Sequence, residues 1–219
     1  DLTATIAGIR ASVLAYNPTQ AVFSVLAPAT VTDAFSGVQN RIGFASAEGS
    51  ASIVTDDLWQ GLTGKGWRIG RISIVAEGVD WTDITVAEAR LLGATHIEAH
   101  LVDIPEQHDP AAGTSALAAF ATIHEAEAPG LGIAAGEASL EAELTGLPDD
   151  LREIDAANLM TRWRDAGGQL RLVALTGRAG EEFVEGSGTL GLDSGSRLDG
   201  QVMVRSKGLV ERFGAVLPE

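Results

Sequence analysis

The sequence predicts a mainly β fold: a strongly curved antiparallel sheet, or half-barrel, with two or three helices packed against it. Three observations predict it. Stretches rich in β-branched and small residues recur at short, fairly regular spacing, separated by Gly, Pro, Asn and Ser. The chain holds 26 Gly, which disfavours a long-helix bundle, since Gly inside a helix costs about 1 kcal/mol relative to Ala. Residues 137–145 alternate strictly. Ala138, Leu140, Ala142 and Leu144 take one side, and Glu137, Ser139, Glu141 and Glu143 the other. That period of two marks a sheet with one wet face.

Taken in order, residues 4–16 read as a strand broken at Asn17-Pro18-Thr19, and residues 21–26 as a second that ends at Pro28. Residues 42–54 read as a hairpin about Glu48-Gly49-Ser50, and 68–81 as one long strand. Residues 85–92 and 95–104 read as another hairpin, turning at Gly93-Ala94 and closed by Pro105. Residues 105–115 form a candidate mobile surface loop, the place where one domain over 1–219 would divide into two lobes. The alanines of 117–127 suit helix or strand, and a strand is preferred.

A helix follows, capped by Asp155, striped by Ala156, Leu159, Met160 and Trp163, and stopped by Gly167-Gly168. Residues 169–176, 183–193 and 198–205 then read as strands, the last two joined by the tight turn Ser194-Gly195-Ser196. A terminal amphipathic helix is expected over 209–217. Strands of one style recur at Arg68-Ile69-Gly70, Gly136-Glu137-Ala138 and Gly188-Thr189-Leu190. Gly within a strand permits sharp bending, hence the expected curl.

Composition excludes several functions. A formal net charge of −15 argues against nucleic acid and against anionic membrane surfaces, both of which need clustered cations. With 0 Cys there is no disulfide, thiolate metal site or Cys nucleophile. No apolar run approaches the roughly 20 residues needed to cross a bilayer as a helix. The start at Asp1, already strand-like and without Met, leads us to expect a portion of something longer.

No constellation makes an enzyme, and the chain is read as non-catalytic, with no cofactor. His96, Glu98 and His100 share one strand face, but strand rise sets the two histidines about 13 Å apart, too far to bind one metal ion. His108 and His124 could join them only through the tertiary fold. The paired acids Asp56-Asp57, Asp80/Asp83 and Asp149-Asp150 sit beside turns, where Asp bonds to backbone. There is no Gly-x-Ser-x-Gly elbow, and Gly64-Lys65-Gly66 lacks the spacing of a phosphate loop. Trp59, Trp67 and Trp81 lie near strand ends, fit to plug an open sheet end or line a ligand mouth, whereas Trp163 belongs to the core.

The closing third, with its helix over 156–166, Leu170-Arg171-Leu172, Gly186-Ser187-Gly188-Thr189-Leu190-Gly191-Leu192-Asp193 and Leu198-Asp199-Gly200, resembles a family of uncharacterised Gram-negative envelope proteins, a domain of unknown function. Ile9-Arg10-Ala11 and Leu14-Ala15-Tyr16-Asn17-Pro18 look similar to it as well. The Gly-x-Leu-x-Leu-Asp strand style also looks like the AsmA-like envelope proteins, whose curled sheets hold lipid. The resemblance implies a periplasmic domain, anchored in the inner membrane by an N-terminal helix that this chain lacks. It implies a binding or transport module that shelters an apolar ligand such as a lipid. The inner-face candidates are Ile97, Leu101, Leu140, Leu144, Leu190, Leu192, Val202 and Val204. The alternative is an envelope scaffold with a protein partner and a filled interior.

Overall fold

The computed structural model describes residues 2–33, 35–54, 67–150 and 158–208. Asp56, Asp57, Trp59, Gly64-Lys65-Gly66, Asp155, Ala156 and the helix expected over 209–217 lie outside the described residues.

Eleven strands form one antiparallel sheet: β1 (Leu2–Leu14), β2 (Asn17–Asp33), β3 (Gln39–Gly43), β4 (Ser46–Val54), β5 (Arg68–Asp83), β6 (Ala89–Asp103), β7 (Thr114–His124), β8 (Glu137–Pro148), β9 (Leu170–Ala179), β10 (Glu182–Leu192) and β11 (Leu198–Lys207). They run β1-β2-β3-β5-β6-β7-β8-β9-β10-β11, with β4 in line with β3 between β2 and β5. The order is that of a meander, each strand beside its sequence neighbour except β3 and β4, which lie end to end. β1 and β11 stand at the two edges, so the described strands do not close into a barrel.

Where the sequence predicts two hairpins, the structure has continuous strands. Gly93-Ala94 lies inside β6, which pairs with β5 from Ala89 to Val102. Gly93 is small because the Arg90 guanidinium crosses it: a Cβ there would stand 2.0 Å from that group. Arg90 is held in place by Asp80 (2.7 Å) and Glu127 (2.6 Å). Gly49 likewise sits inside β4, beneath the Phe23 ring, whose Cζ would be 2.5 Å from an added Cβ. The chain breaks instead at Phe44-Ala45, between β3 and β4. Pro28 does not end the second strand; β2 passes through it, and its register with β1 shifts between Ile6 and Gly8. Asn17-Pro18-Thr19 opens β2, the turn falling one step earlier at Ala15-Tyr16.

Other readings hold. Residues 114–124 form a strand, and Asp193 shapes the β10–β11 turn by accepting hydrogen bonds from the Gly195 and Arg197 N–H groups (2.8 and 2.9 Å). The segment over 105–115 holds a 3-10 turn, Pro105–Gln107, and joins neighbouring strands of the same sheet.

Among the described residues there is one α-helix, α1 (Leu159–Asp165), together with the 3-10 turns Pro105–Gln107 and Pro129–Leu131. The Gly167-Gly168 stop is as expected. The Gly168 and Gly167 N–H groups return to the Trp163 and Arg164 carbonyls (2.8 and 2.9 Å), the paired bonds of a Schellman end. Of the described members of the expected stripe, Trp163 alone is buried, while Met160 is 53% exposed. The Trp163 indole N–H donates to the Thr145 carbonyl at 2.7 Å, and Gly168 leaves the space the ring occupies.

Among the described residues the buried apolar set is scant: Ala47, Val79, Ala94, Ala116, Leu117, Ala128, Ala142 and Trp163. Domains ordinarily bury a sheet face against a second layer of structure. Over most of this sheet the described residues supply one layer.

Candidate functional site: the apolar face of the sheet

Residues directly opposite each other on antiparallel strands share a face, so the registers read out the surface of the whole sheet. One transverse row runs Val13, Ala21, Ala51, Ile72 and Leu101 from β1 to β6. It continues through Ala119, Ala142, Leu172, Gly188 and Val202 to β11. No member is polar. A second row on the same face passes through Phe23, Gly49, Ile74, Ala99 and Ala121, then Leu140, Leu175, Gly186 and Val204.

All eight residues singled out from the sequence fall on this face. Ile97 and Leu101 alternate about Ala99 on β6, and Leu140 and Leu144 lie on β8. Leu190 stands opposite Leu170 and Leu192 opposite Leu198, while Val202 and Val204 end the two rows. They are not uniformly covered. Ile97, Leu101, Leu144, Leu190 and Leu192 are half-buried, but Leu140 is 36%, Val202 42% and Val204 63% exposed. Ala126 and Ile133 lean over Ala138, Gly177 and Val184, enclosing an apolar cavity of about 150 Å³ at one margin of the face. Roomier concavities run along β9–β11: one of about 630 Å³ mixes polar and apolar groups, among them Arg164, Asp199 and Gln201, and one of about 720 Å³ is mainly apolar, with Val173, Leu175, Met203 and Val204 beside Glu185 and Arg205.

The opposite face is polar. Its central row reads Arg10, Ser24, Glu48, Val75, Glu98, then Thr122, Ser139, Thr176, Glu185 and Arg205. The expected grouping of His96, Glu98 and His100 lies here, and the fold adds what the sequence did not reveal. His124 is opposite His96, their ring centroids 5.6 Å apart. Each imidazole is matched to a carboxylate: His96 to Glu77 (2.8 Å), His100 to Glu98 (2.6 Å) and His124 to Glu137 (2.5 Å). His100 also stacks on Phe120. The Glu77 hydrogen bond holds the His96 ring above its ordinary 6.5, and the His100 hydrogen bond holds Glu98 below its ordinary 4.5. Among the described residues no group of three or more such side chains is arranged to hold a metal ion. His108 stands apart, bound to Asp103 at 2.7 Å.

Of the paired acids, Asp80 is tied to Arg90 and accepts from Thr82 (2.6 Å), while Asp83 accepts from the Thr85 N–H (2.8 Å). The Thr85 side chain is the main cause of Asp83's lowered pKa. Asp83 organises the turn after β5, whereas Asp80 lies inside the strand and pairs with side chains. Trp81, 39% exposed, donates to Asn40 (3.0 Å) and lies across β3 and β5 opposite Ile42, and Trp67 is half-buried just before β5.

An antiparallel sheet of one layer, apolar on one face, polar and histidine-bearing on the other, and pinned at one corner by a short helix, is the class of protein these features define. The chain belongs to the bacterial family described as "Uncharacterized protein conserved in bacteria (DUF2125)", whose model matches residues 1–217. Comparison with curated proteins and with solved structures gave no match. The likeness to AsmA-like proteins is not shown by these comparisons.

Proposed function

We propose that this chain is a binding or transport module of the bacterial envelope that shelters an apolar ligand, a lipid acyl chain, against the apolar face of its sheet. One observation carries the reading: transverse rows without a polar side chain cross the sheet from edge to edge, and members of them remain exposed. An exposed apolar surface of that extent marks a binding surface. Each CH₂ buried there contributes about 0.8 kcal/mol, and curling of the sheet toward a half-barrel would wrap an acyl chain. A periplasmic location, with the full-length protein anchored in the inner membrane, fits such a ligand and belongs to the same proposal. The reading needs no catalytic group and no cofactor. With a net charge of −15, nucleic acid is a poor candidate for the partner.

A second reading is an envelope scaffold whose protein partner covers the same face. The exposure of β11 along its whole length favours it, because an unpaired strand accepts another. Native mass spectrometry with lipid extraction separates the two. Co-purified phospholipid or fatty acid is expected, reduced at least tenfold in Leu101→Glu/Leu140→Glu and unchanged in Ser139→Glu on the other face. A clean apo mass that takes up no added lipid would overturn the lipid reading.

A further inference from the structure

We propose that the outer edge of β11 pairs with the same edge of a second copy of this chain. The two strands run antiparallel about a two-fold axis centred on Val202. The sheet, with its apolar face, then continues from one protomer into the other.

The edge is open. Among the described residues no strand pairs with the outer side of β11. Every residue of the strand is exposed, Leu198 to 75%, Met203 to 76% and Val204 to 63%. Such an edge offers a row of unsatisfied N–H and C=O groups, and proteins that must stay monomeric blunt it with Pro, a bulge, a short strand or charges; the charges of β11 are Asp199, Arg205 and Lys207, and of the other three devices it shows no sign. It carries no Pro and pairs with β10 from Leu198 to Lys207 without a register shift. The other edge, β1, is interrupted between Ile6 and Gly8 and again between Val13 and Leu14.

The charges choose the partner. A two-fold axis perpendicular to the sheet keeps each face on its own side. Centred on Val202, it sets Asp199 opposite Arg205 of the second copy and Arg205 opposite that copy's Asp199, both on the polar face. On the apolar face Gly200 meets Val204, and Val202 meets itself. Opposite charges directly across strands stabilise the pairing, and like charges oppose it. Both groups are available. Asp199 has no ionic partner among the described residues, and Arg205 holds only a contact of 4.0 Å to Glu185 and the Phe183 ring at 5.4 Å. β1 lacks this complementarity, its one charge being Arg10. Pairing β1 with β11 would be head-to-tail and would grow into filaments, whereas β11 with β11 closes as a dimer. The dimer does not depend on an apolar ligand, so its failure and that of the lipid reading are separate results.

The test uses the absence of cysteine from the chain. In Val202→Cys the two new thiols face each other at a Cα separation of about 4.5–5.5 Å, within disulfide reach, so oxidation should give a covalent dimer. In Met203→Cys the same axis leaves them roughly 8 Å apart, and no dimer should form. By light scattering the unmodified chain should show a concentration-dependent dimer. Asp199→Arg should weaken it about tenfold, and Asp199→Arg/Arg205→Asp should restore it. Circular dichroism checks that each variant keeps its sheet. A monomer at all concentrations, a charge-swapped pair that does not recover, or Met203→Cys cross-linking as readily as Val202→Cys would each overturn the proposal.

Discussion

The row through Leu101 and the row through Glu98 cross the same strands three residues apart, yet one is wholly apolar and the other almost wholly polar. The two faces have been treated differently by the rest of the fold. At the α1 corner the chain supplies a cover: Trp163 is 8% exposed, hydrogen-bonded and seated over a glycine. Over Leu140 and Val204 the described residues supply none. A sheet that is amphipathic from edge to edge but covered at one corner keeps its stability in backbone pairing and side-chain rows, and leaves one face available.

That contrast can be broken or sharpened by substitution. The largest effect is expected at the covered corner, where Trp163→Ala should cost about 3 kcal/mol in urea unfolding, as for other large core aromatics. A loss below about 1 kcal/mol would mean that the corner is not the anchor. Leu101→Ala, in the middle of the uncovered face, should cost less, about 1 kcal/mol, since only part of its side chain leaves water on folding. A cost of 3 kcal/mol or more, the range for a fully enclosed Leu, would reveal a second layer over the face.

The smallest effect belongs to the polar face and appears as a pH dependence. The folded His96 ring binds its proton more tightly than the unfolded one, chiefly through Glu77. Its contribution is therefore complete below the ordinary 6.5 and is lost as pH rises through the higher folded value. Glu98 has the opposite sign: its contribution is present above 4.5 and disappears as pH falls through the lower folded value. Unfolding midpoints followed from about pH 6 to pH 8 should decline slightly more in the unmodified chain than in His96→Gln. Identical slopes would dismiss the His96–Glu77 bond as a stabilising contact.

Much of this was legible in the residues. The alternation of 137–145 assigned both faces of β8 correctly, and Asp193 through Arg197 made a turn from local chemistry alone. The eight apolar candidates share one face because each pair stands two or four residues apart on one strand, so the pleat turns both the same way, and the strand registers set the four pairs on one side of the sheet. What failed were the glycines. Gly49 and Gly93 look like turns in sequence, but each makes room for a side chain: Phe23 reaching across from β2 at Gly49, and at Gly93 the ion-paired Arg90, three residues earlier on the same strand. Nothing near Gly49 announces Phe23. The company of His124 with His96 was equally hidden, since it depends on the register that sets two residues 28 apart in the chain opposite each other.

The sequence by itself determined that strands dominate, that residues 137–145 have a wet and a dry side, and where the β10–β11 turn and the helix stop fall. These follow from side-chain period and local hydrogen bonding, which involve only neighbours. The tertiary structure alone decided that the strands meander in a single sheet, that their dry sides align into unbroken rows, and that among the described residues no strand covers the outer edge of β11. Those outcomes depend on which strands pair and in what register, and pairing is settled by contacts between residues far apart in the chain.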